Sequence, residues 1–258
     1  MGHIQFHKYQ GTGNDFVMID NRQHKFKPTA EEVKAICDRR FGIGADGLIL
    51  LETHPDFDFE MNYFNADGSQ SFCGNGSRCV VQFAAALGLI ESKAHYLAID
   101  GPHHSHINNG IVATQMQAVN HIETIGNDLF INTGSPHYIR FVNDVHSEDL
   151  LSIAHQIRYN DRFSKEGTNV NLVSMQQDTI HVRTYERGVE GETLSCGTGV
   201  TAVAIAHCHR NGLSGKQKIA VHTQGGLLHV QLNVSENNFS QIELIGPAKK
   251  VFEGEWQR

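Results

Sequence analysis

The chain has 258 residues, 40% of them hydrophobic, with 28 Asp/Glu against 21 Lys/Arg and a formal net charge of -7. That length suits one large or two medium domains with real cores, and an acidic balance without a Lys/Arg cluster argues against a nucleic-acid partner. The 5 cysteines have no framework spacing and read as free thiols of a reducing compartment; with no apolar signal core at Met1-Gly2-His3-Ile4-Gln5-Phe6 and no membrane-length apolar run, a soluble cytoplasmic protein is expected.

In chain order, Ile4 to His7 and Phe16 to Ile19 read as short strands flanking the turn Gly11-Thr12-Gly13-Asn14-Asp15. A helix is predicted from Thr29 to Arg40, with Thr29 as N-cap and Glu32 completing a capping box. Gly42 to Gly47 spells a dinucleotide fingerprint, but a helix precedes it and the strand-like Leu48-Ile49-Leu50-Leu51 follows, the reverse of the context that fingerprint needs. Asp56 to Tyr63 alternates acid or amide with apolar residues; Met61 stands where a calcium loop needs glycine, so the segment reads as a half-buried strand. It leads to Phe64-Asn65-Ala66-Asp67-Gly68 and then to Cys73-Gly74-Asn75-Gly76 with the apolar stretch Val80 to Leu87, stopped by Gly88. Strand-like pieces at Tyr96 to Ile99 and Ile111 to Met116 flank His103, His104 and His106, which read as a solvated loop beside Pro102; no metal is expected.

The second half repeats the first. Gly13 and Gly134, Thr29 and Ser147, Asn65 and Glu186, and Cys73 and Cys196 recur in one order, 118 to 123 residues apart. A second amphipathic helix is predicted from Ser147 to Tyr159, Thr179 to Tyr185 alternates toward Glu186-Arg187-Gly188, and Cys196-Gly197-Thr198-Gly199 opens the apolar stretch Val200 to Ala206. Strands follow around 219–222, 227–232 and 242–245. A helix apolar all round should be wrapped rather than laid on a surface. The expected class is therefore α+β: two pseudo-symmetric domains from an internal duplication, residues 1–118 and 119–258, each a curved mixed β-sheet or barrel around a central buried helix, the last strand being free to return to the first domain.

A cysteine at a helix start sits near unpaired N–H groups and the positive end of the dipole, which favour thiolate and can bind a carboxylate. Two such turns on equivalent helices would face one another across a cleft. One thiol and one thiolate could then remove a proton from one face of a carbon and return one to the other.

At these residues the chain resembles the diaminopimelate epimerase family over nearly its whole length, through Gly11-Thr12-Gly13-Asn14-Asp15-Phe16, Phe64-Asn65-Ala66-Asp67-Gly68, both Cys-Gly-x-Gly turns and Glu186-Arg187-Gly188. The resemblance implies a cofactor-independent isomerase that interconverts LL- and meso-2,6-diaminopimelate, in lysine and peptidoglycan precursor biosynthesis. It implies Cys196 as proton acceptor and Cys73 as proton donor for the LL substrate, and His137 and Glu186 as groups tuning the thiols. It further implies substrate contacts from Asn14, Asn65, Gly74, Asn75, Asn169, Glu186, Arg187, Gly197 and Thr198. Some relatives carry glutamine where Gly47 stands and asparagine where Ser135 stands. The partner is a small molecule, with no nucleic acid and no membrane; a homodimer is one assembly the sequence admits. Cys37, Cys79 and Cys208 read as packing residues. The rivals are a proline- or hydroxyproline-type racemase of the same fold and a thiol redox protein cycling Cys73 and Cys196; the latter lacks the Cys-x-x-Cys spacing usual for such pairs.

Overall fold

The computed structural model describes residues 3–176 and 179–257. The chain divides into two compact units, one running to Thr114 and taken up again from Gly246, the other Gln115–Ile245.

In the first unit, β1 (His3–Gly11) and β2 (Asn14–Asp20) form a hairpin. Its two-residue loop has positive φ at both central residues, Thr12 (51°) and Gly13 (84°), the conformation that matches strand twist in tight hairpins. Helix α1 (Ala30–Cys37) follows, then β3 (Gly47–Glu52), β4 (Phe59–Asn65), α2 (Gly74–Ala86), β5 (Lys93–Ala98), β6 (Gly101–Asn108) and β7 (Ile111–Gln115). The second unit holds β8 (Glu123–Ile125), β9 (Asp128–Asn132), β10 (Pro136–Phe141), α3 (Leu150–Arg158), β11 (Asn169–Gln176), β12 (Thr179–Glu186), β13 (Gly191–Thr193), α4 (Gly197–Arg210), β14 (Gly215–Thr223), β15 (Gly226–Ser235) and all but the last two residues of β16 (Asn238–Pro247). The last strand, β17 (Lys249–Gln257), pairs antiparallel with β1 in the first unit.

The ladders carry the duplication. From β1 to β7, successive neighbours pair antiparallel, parallel, antiparallel, parallel, antiparallel, antiparallel. The series β9, β10, β11, β12, β14, β15, β16 repeats that order. Each parallel step is bridged by a helix, as a parallel connection requires.

Burial on both faces explains the unbroken apolar runs. In β3, Ile49 and Leu51 join the core around α2, whereas Leu48 and Leu50 join the core around α1. The second unit is built alike: Ile139 and Val173 pack with α4, Tyr138 and Leu172 with α3. Strands covered on both sides read as continuous hydrophobic stretches. Helices α2 and α4 are the wrapped ones, with nearly every residue of their first two turns buried.

Three expectations change. Helix α1 stops at Cys37 rather than Arg40. There Asp38 turns extended and its carboxylate accepts from the N–H groups of Arg40 and Phe41, both at 2.7 Å, ending the ladder. Helix α3 starts at Leu150 with Asp149 as N-cap, its carboxylate accepting from Ser152 N–H at 3.2 Å, so Asp149 rather than Ser147 is the counterpart of the Thr29 cap. The histidines at 103, 104 and 106 lie on strand β6, not in a loop, because β5 and β7 pair with it on either side. His104 stacks on His95 at 4.2 Å and His103 on Phe72 at 4.3 Å.

The cap assignment is testable by urea unfolding. Asp149→Ala should cost about 1 kcal/mol, the usual loss of a capping acceptor. Ser147→Ala should stay within about 0.5 kcal/mol; the reverse order would restore Ser147 as the cap.

Candidate active site

Cys73 is the N-cap of α2, in extended backbone conformation at φ -131° and ψ 112°, and its Sγ accepts from Gly76 N–H at 3.5 Å. Cys196 is the N-cap of α4 in the same conformation, φ -116° and ψ 111°, with no side-chain cap hydrogen bond. The second glycine of each turn is dictated by packing. A Cβ at Gly76 would lie 3.0 Å from Ile49 Cδ1 and 3.2 Å from Met61 Cε, and one at Gly199 would lie 2.7 Å from Asn171 Oδ1. These glycines let each helix start seat against its own sheet and so fix where each sulfur stands.

Around Cys73 the β1–β2 hairpin supplies polar partners. The Sγ–H donates to Asn14 Oδ1 at 3.6 Å, and Asn75 Nδ2 donates to the same oxygen at 3.2 Å. Asn14 Nδ2 in turn donates to Asp46 Oδ2 at 2.6 Å. A carboxylate only accepts, so Asp46 determines which end of the Asn14 amide faces the sulfur. Asp46 is held by Arg39 at 2.6 Å, and Arg39 also grips Asp15 at 2.7 Å. Buried Lys8 binds the other oxygen of Asp15 at 2.7 Å. Burial by itself would raise the Asp15 carboxyl, but the hydrogen bonds and charges of Arg39 and Lys8 outweigh it and hold the group at about 2. Asn65, at the end of β4, donates from Nδ2 to Ser69 O, Ser69 Oγ and Ser71 Oγ at 3.1 to 3.2 Å. Gly47, beside it in register, admits no side chain: a Cβ would meet Tyr63 Cε2 at 2.4 Å, so the Tyr63 ring occupies that space.

Around Cys196 the partners come from β10 and β11. Thr198 Oγ1 lies 3.5 Å from Cys196 Sγ and 2.9 Å from His137 Nε2. His137 Nδ1 faces Asn171 Nδ2 at 3.1 Å. Because Asn171 accepts from Thr184 Oγ1 on its oxygen and donates to Tyr138 O, its nitrogen is the end that meets the ring. His137 Nδ1 is therefore an acceptor, and Nε2 carries the proton toward Thr198. Burial, followed by the charge of Arg187, pushes the pKa of His137 down to about 3, and the neutral ring is the form that can accept from Asn171. The ring stays neutral at physiological pH, reaching the sulfur through the Thr198 hydroxyl.

Asn169 is buried and ties the start of β11 to the turn before β10 and to the chain just after β12. It accepts from Arg187 N–H at 2.9 Å and donates to Ser135 Oγ at 2.9 Å and Pro136 O at 2.8 Å. Ser135 thus joins this link through its hydroxyl. Arg187 Nη1 donates to Glu166 O at 3.0 Å, and its stem lies over Gly167, where a Cβ would meet Cδ at 2.7 Å. Glu186 closes β12 and accepts from Thr193 Oγ1 at 2.8 Å. Within the first unit the structure thus brings Asn14, Gly74 and Asn75 to Cys73; within the second it brings Thr198, Gly197 and His137 to Cys196. Asn171, Asp46 and Arg78 escaped sequence reasoning. The signals were faint: a second amide two residues after Asn169 in an apolar strand, and one arginine in an apolar helix.

The model of the family described as diaminopimelate epimerase matches the chain twice, over residues 6–126 and 129–251. The chain belongs to the diaminopimelate epimerase family. It is 48% identical to the diaminopimelate epimerase of Flavobacterium psychrophilum, covering 97% of this chain and 99% of that one, and 40% identical to that of Aquifex aeolicus, covering 97% of each. Among solved structures, a PhzF-family phenazine biosynthesis protein of Bacillus anthracis superposes with a TM-score of 0.79 at 14% identity over 100% of both chains. A hydroxyproline epimerase of Agrobacterium vitis superposes with a TM-score of 0.70 at 13% identity, covering 98% of this chain and 92% of that one. At such identities these likenesses speak for the shared fold. The double match agrees with the repeated ladder order, and no helix among the described residues is long and apolar enough to cross a membrane.

The depressed pKa of His137 makes acid stability a probe of this arrangement. The folded ring binds its proton only near pH 3, whereas the unfolded ring does so near 6.5, so the unfolded state holds more protons between those values and stability rises with pH across that window. His137→Gln should remove about one proton's worth of that slope, seen by urea unfolding between about pH 4 and pH 7; an unchanged slope would mean the ring titrates normally.

Proposed function

We propose that the protein interconverts LL- and meso-2,6-diaminopimelate by proton transfer at one α-carbon, with Cys196 accepting the proton of the LL substrate and Cys73 delivering one to the opposite face. The observation that carries the reading is the pair of cysteine N-caps on duplicated helices, in a chain whose two halves each match the family. An α-proton is far less acidic than a thiol, and each unit of mismatch costs about 1.4 kcal/mol. Amides of the helix starts, at Gly74-Asn75 and Gly197-Thr198, offer hydrogen bonds to the reacting carboxylate as negative charge spreads onto it. Charge developing at that carboxylate is what must be stabilised for the proton to leave.

The remaining groups suit the distant, unreacting end of the substrate. Arg187 offers a planar donor fork to a carboxylate, while Glu186 and Asn65 provide oxygens for an ammonium group; Asn14, whose oxygen lies at the Cys73 sulfur, belongs to the reacting end. Asn169 serves this end by fixing the Arg187 backbone. His137 aligns the Thr198 hydroxyl at Cys196. A soluble small-molecule enzyme of amino-acid biosynthesis, placed in the cytoplasm, accords with these assignments.

Incubation with LL-diaminopimelate followed by chiral analysis tests the reading, with proline as the competing substrate. Meso product should form, dialysis against a chelator should leave the rate intact, and product made in deuterium oxide should carry deuterium at the inverted centre while recovered LL substrate stays mostly protiated early on. Cys73→Ala and Cys196→Ala should each lower the rate by about 100-fold or more. Full activity in either variant, or product that keeps the substrate's hydrogen, would sink the two-thiol scheme.

A further inference from the structure

Helix α2 carries one charge inside its wrapped portion. Arg78 is 0% exposed, and no carboxylate among the described residues bonds it. Its Nη1 donates to Gly74 O at 3.3 Å, its Nη2 to Asn75 Oδ1 at 2.8 Å and to Thr12 Oγ1 at 3.4 Å, and its Nε is sealed from water without a partner. The acids of the hairpin face are committed elsewhere: Asp15 is held by Lys8 and Arg39, and Asp46 by Arg39. Isolated buried charge is among the costliest features a fold can carry, and a buried cation retained without a carboxylate calls for another source of negative charge.

The backbone closes over this guanidinium. A Cβ at Gly11 would stand 3.3 Å from Nη2, so the glycine admits the hairpin to that distance. Thr12, a β-branched residue, is held at φ 51°, a strained conformation for its type, with its hydroxyl turned onto Nη2. Two thiols stand near enough to feel the Arg78 charge: Cys79, which shares the space beside Gly11 with Nη2, and Cys73 at the start of the same helix. Burial pushes Cys79 up to about 12, so it remains neutral. Cys73, partly exposed at the helix start, is the one left to carry charge.

We propose that Arg78 is a positioning residue for Cys73: its fixed charge serves as counter-ion whenever that sulfur has given up its proton, and its donors, through Asn75, turn Asn14 Oδ1 to accept from the thiol while the proton is held. A guanidinium only donates, so Asn75 must turn its oxygen to Nη2 and its nitrogen to Asn14 Oδ1. Asp46, which only accepts, fixes the far end of Asn14. The relay Arg78–Asn75–Asn14 is thus polar at both ends in one sense, and Asn14 Oδ1 meets Cys73 Sγ in its middle.

The other half lacks the device. Thr201 stands 123 residues after Arg78, the spacing of the two cysteines, and its hydroxyl donates to Gly197 O at 3.0 Å as Arg78 donates to Gly74 O. The backbone contact is retained and the charge is not. Beside the Cys196 sulfur stand the Thr198 hydroxyl and, behind it, the neutral His137, whose ring feels the charge of the exposed Arg187. Among the described residues, a fully buried cation stands behind the Cys73 turn and none behind the Cys196 turn, so the two thiols are unequal before any substrate arrives.

The inference rests on the epimerase reading for its purpose, but its test needs no turnover. Alkylation by iodoacetamide is followed against pH, with Cys73 and Cys196 quantified separately by peptide mass spectrometry and folding checked by near-ultraviolet circular dichroism. Arg78→Gln keeps donors and removes charge: the Cys73 midpoint should rise by about one pH unit or more while that of Cys196 stays put. Arg78→Lys keeps the charge and loses the planar fork, so the Cys73 midpoint should stay near the parent value while KM for diaminopimelate rises more than kcat falls. A folded Gln variant with an unmoved Cys73 midpoint, or equal shifts at both cysteines, would overturn the proposal. Should the Gln variant not fold, the Lys variant decides, because a Cys73 midpoint raised as far as one unit despite retained charge would equally overturn it. Absence of epimerisation in the parent protein would remove the functional reading and leave the thiol measurement standing.

Discussion

Helix starts must satisfy their first N–H groups, and a sulfur does this poorly. Helices α1 and α3, which lie outside the candidate site, use oxygen caps: Thr29 with a full capping box, and Asp149. The two central helices use cysteine, at 3.5 Å from Gly76 N–H in one case and without a side-chain cap bond in the other. An oxygen cap is typically worth about 1 kcal/mol over a residue that cannot accept. Forgoing it leaves the dipole's positive end directed at whatever anion approaches, which suits thiolate and carboxylate alike. Everything else in each half, from the seating glycines to the buried amides, fixes where that weakly capped terminus sits.

The duplicated ladders give both halves one frame, yet the chemistry around each sulfur differs. In the first unit the sulfur meets a carboxamide held between a carboxylate and a second amide, which a guanidinium orients in turn. In the second it meets a hydroxyl held by a neutral imidazole, which is oriented in turn by Asn171 and Thr184. A charged network with salt bridges beside one thiol and an uncharged relay beside the other are two solutions to orienting a single polar atom. Under the two-thiol scheme proposed above, the two bases do not need equal surroundings; they need proton affinities close enough for both states to be reached.

Much of this was legible in sequence because local rules and tertiary packing agree. The Thr29 capping box, the two Cys-Gly-x-Gly turns and the repeat spacing each reflect short-range geometry, and the structure keeps them. What escaped depended on distant chain. The polar run His103 to His106 forms a strand because β5 and β7 supply its backbone partners, which no local pattern records. Ser147 and Asp149 are both good caps by type, and Ser147 instead spends its hydroxyl on Asp144 O at 2.9 Å. The roles of Asp46, Asn171 and Arg78 follow from hydrogen bonds between residues far apart in sequence or across neighbouring strands, where composition alone signals nothing.

The pairing of β1 with β17 has a further consequence for how the chain is made. Ile4 lies opposite Trp256 and Phe6 opposite Gly254, where a Cβ would come within 3.0 Å of the Phe6 ring, so the first strand is cut to fit the last. As the ribosome delivers the chain, β1 through β7 emerge early, but the β1 edge of their sheet stays open until β17 has been made. The second unit, contiguous in sequence, has all its strands in hand before that moment. The half that is synthesised first is therefore the half completed last, and through most of translation β1 presents unpaired backbone, the kind of edge on which nascent chains associate wrongly.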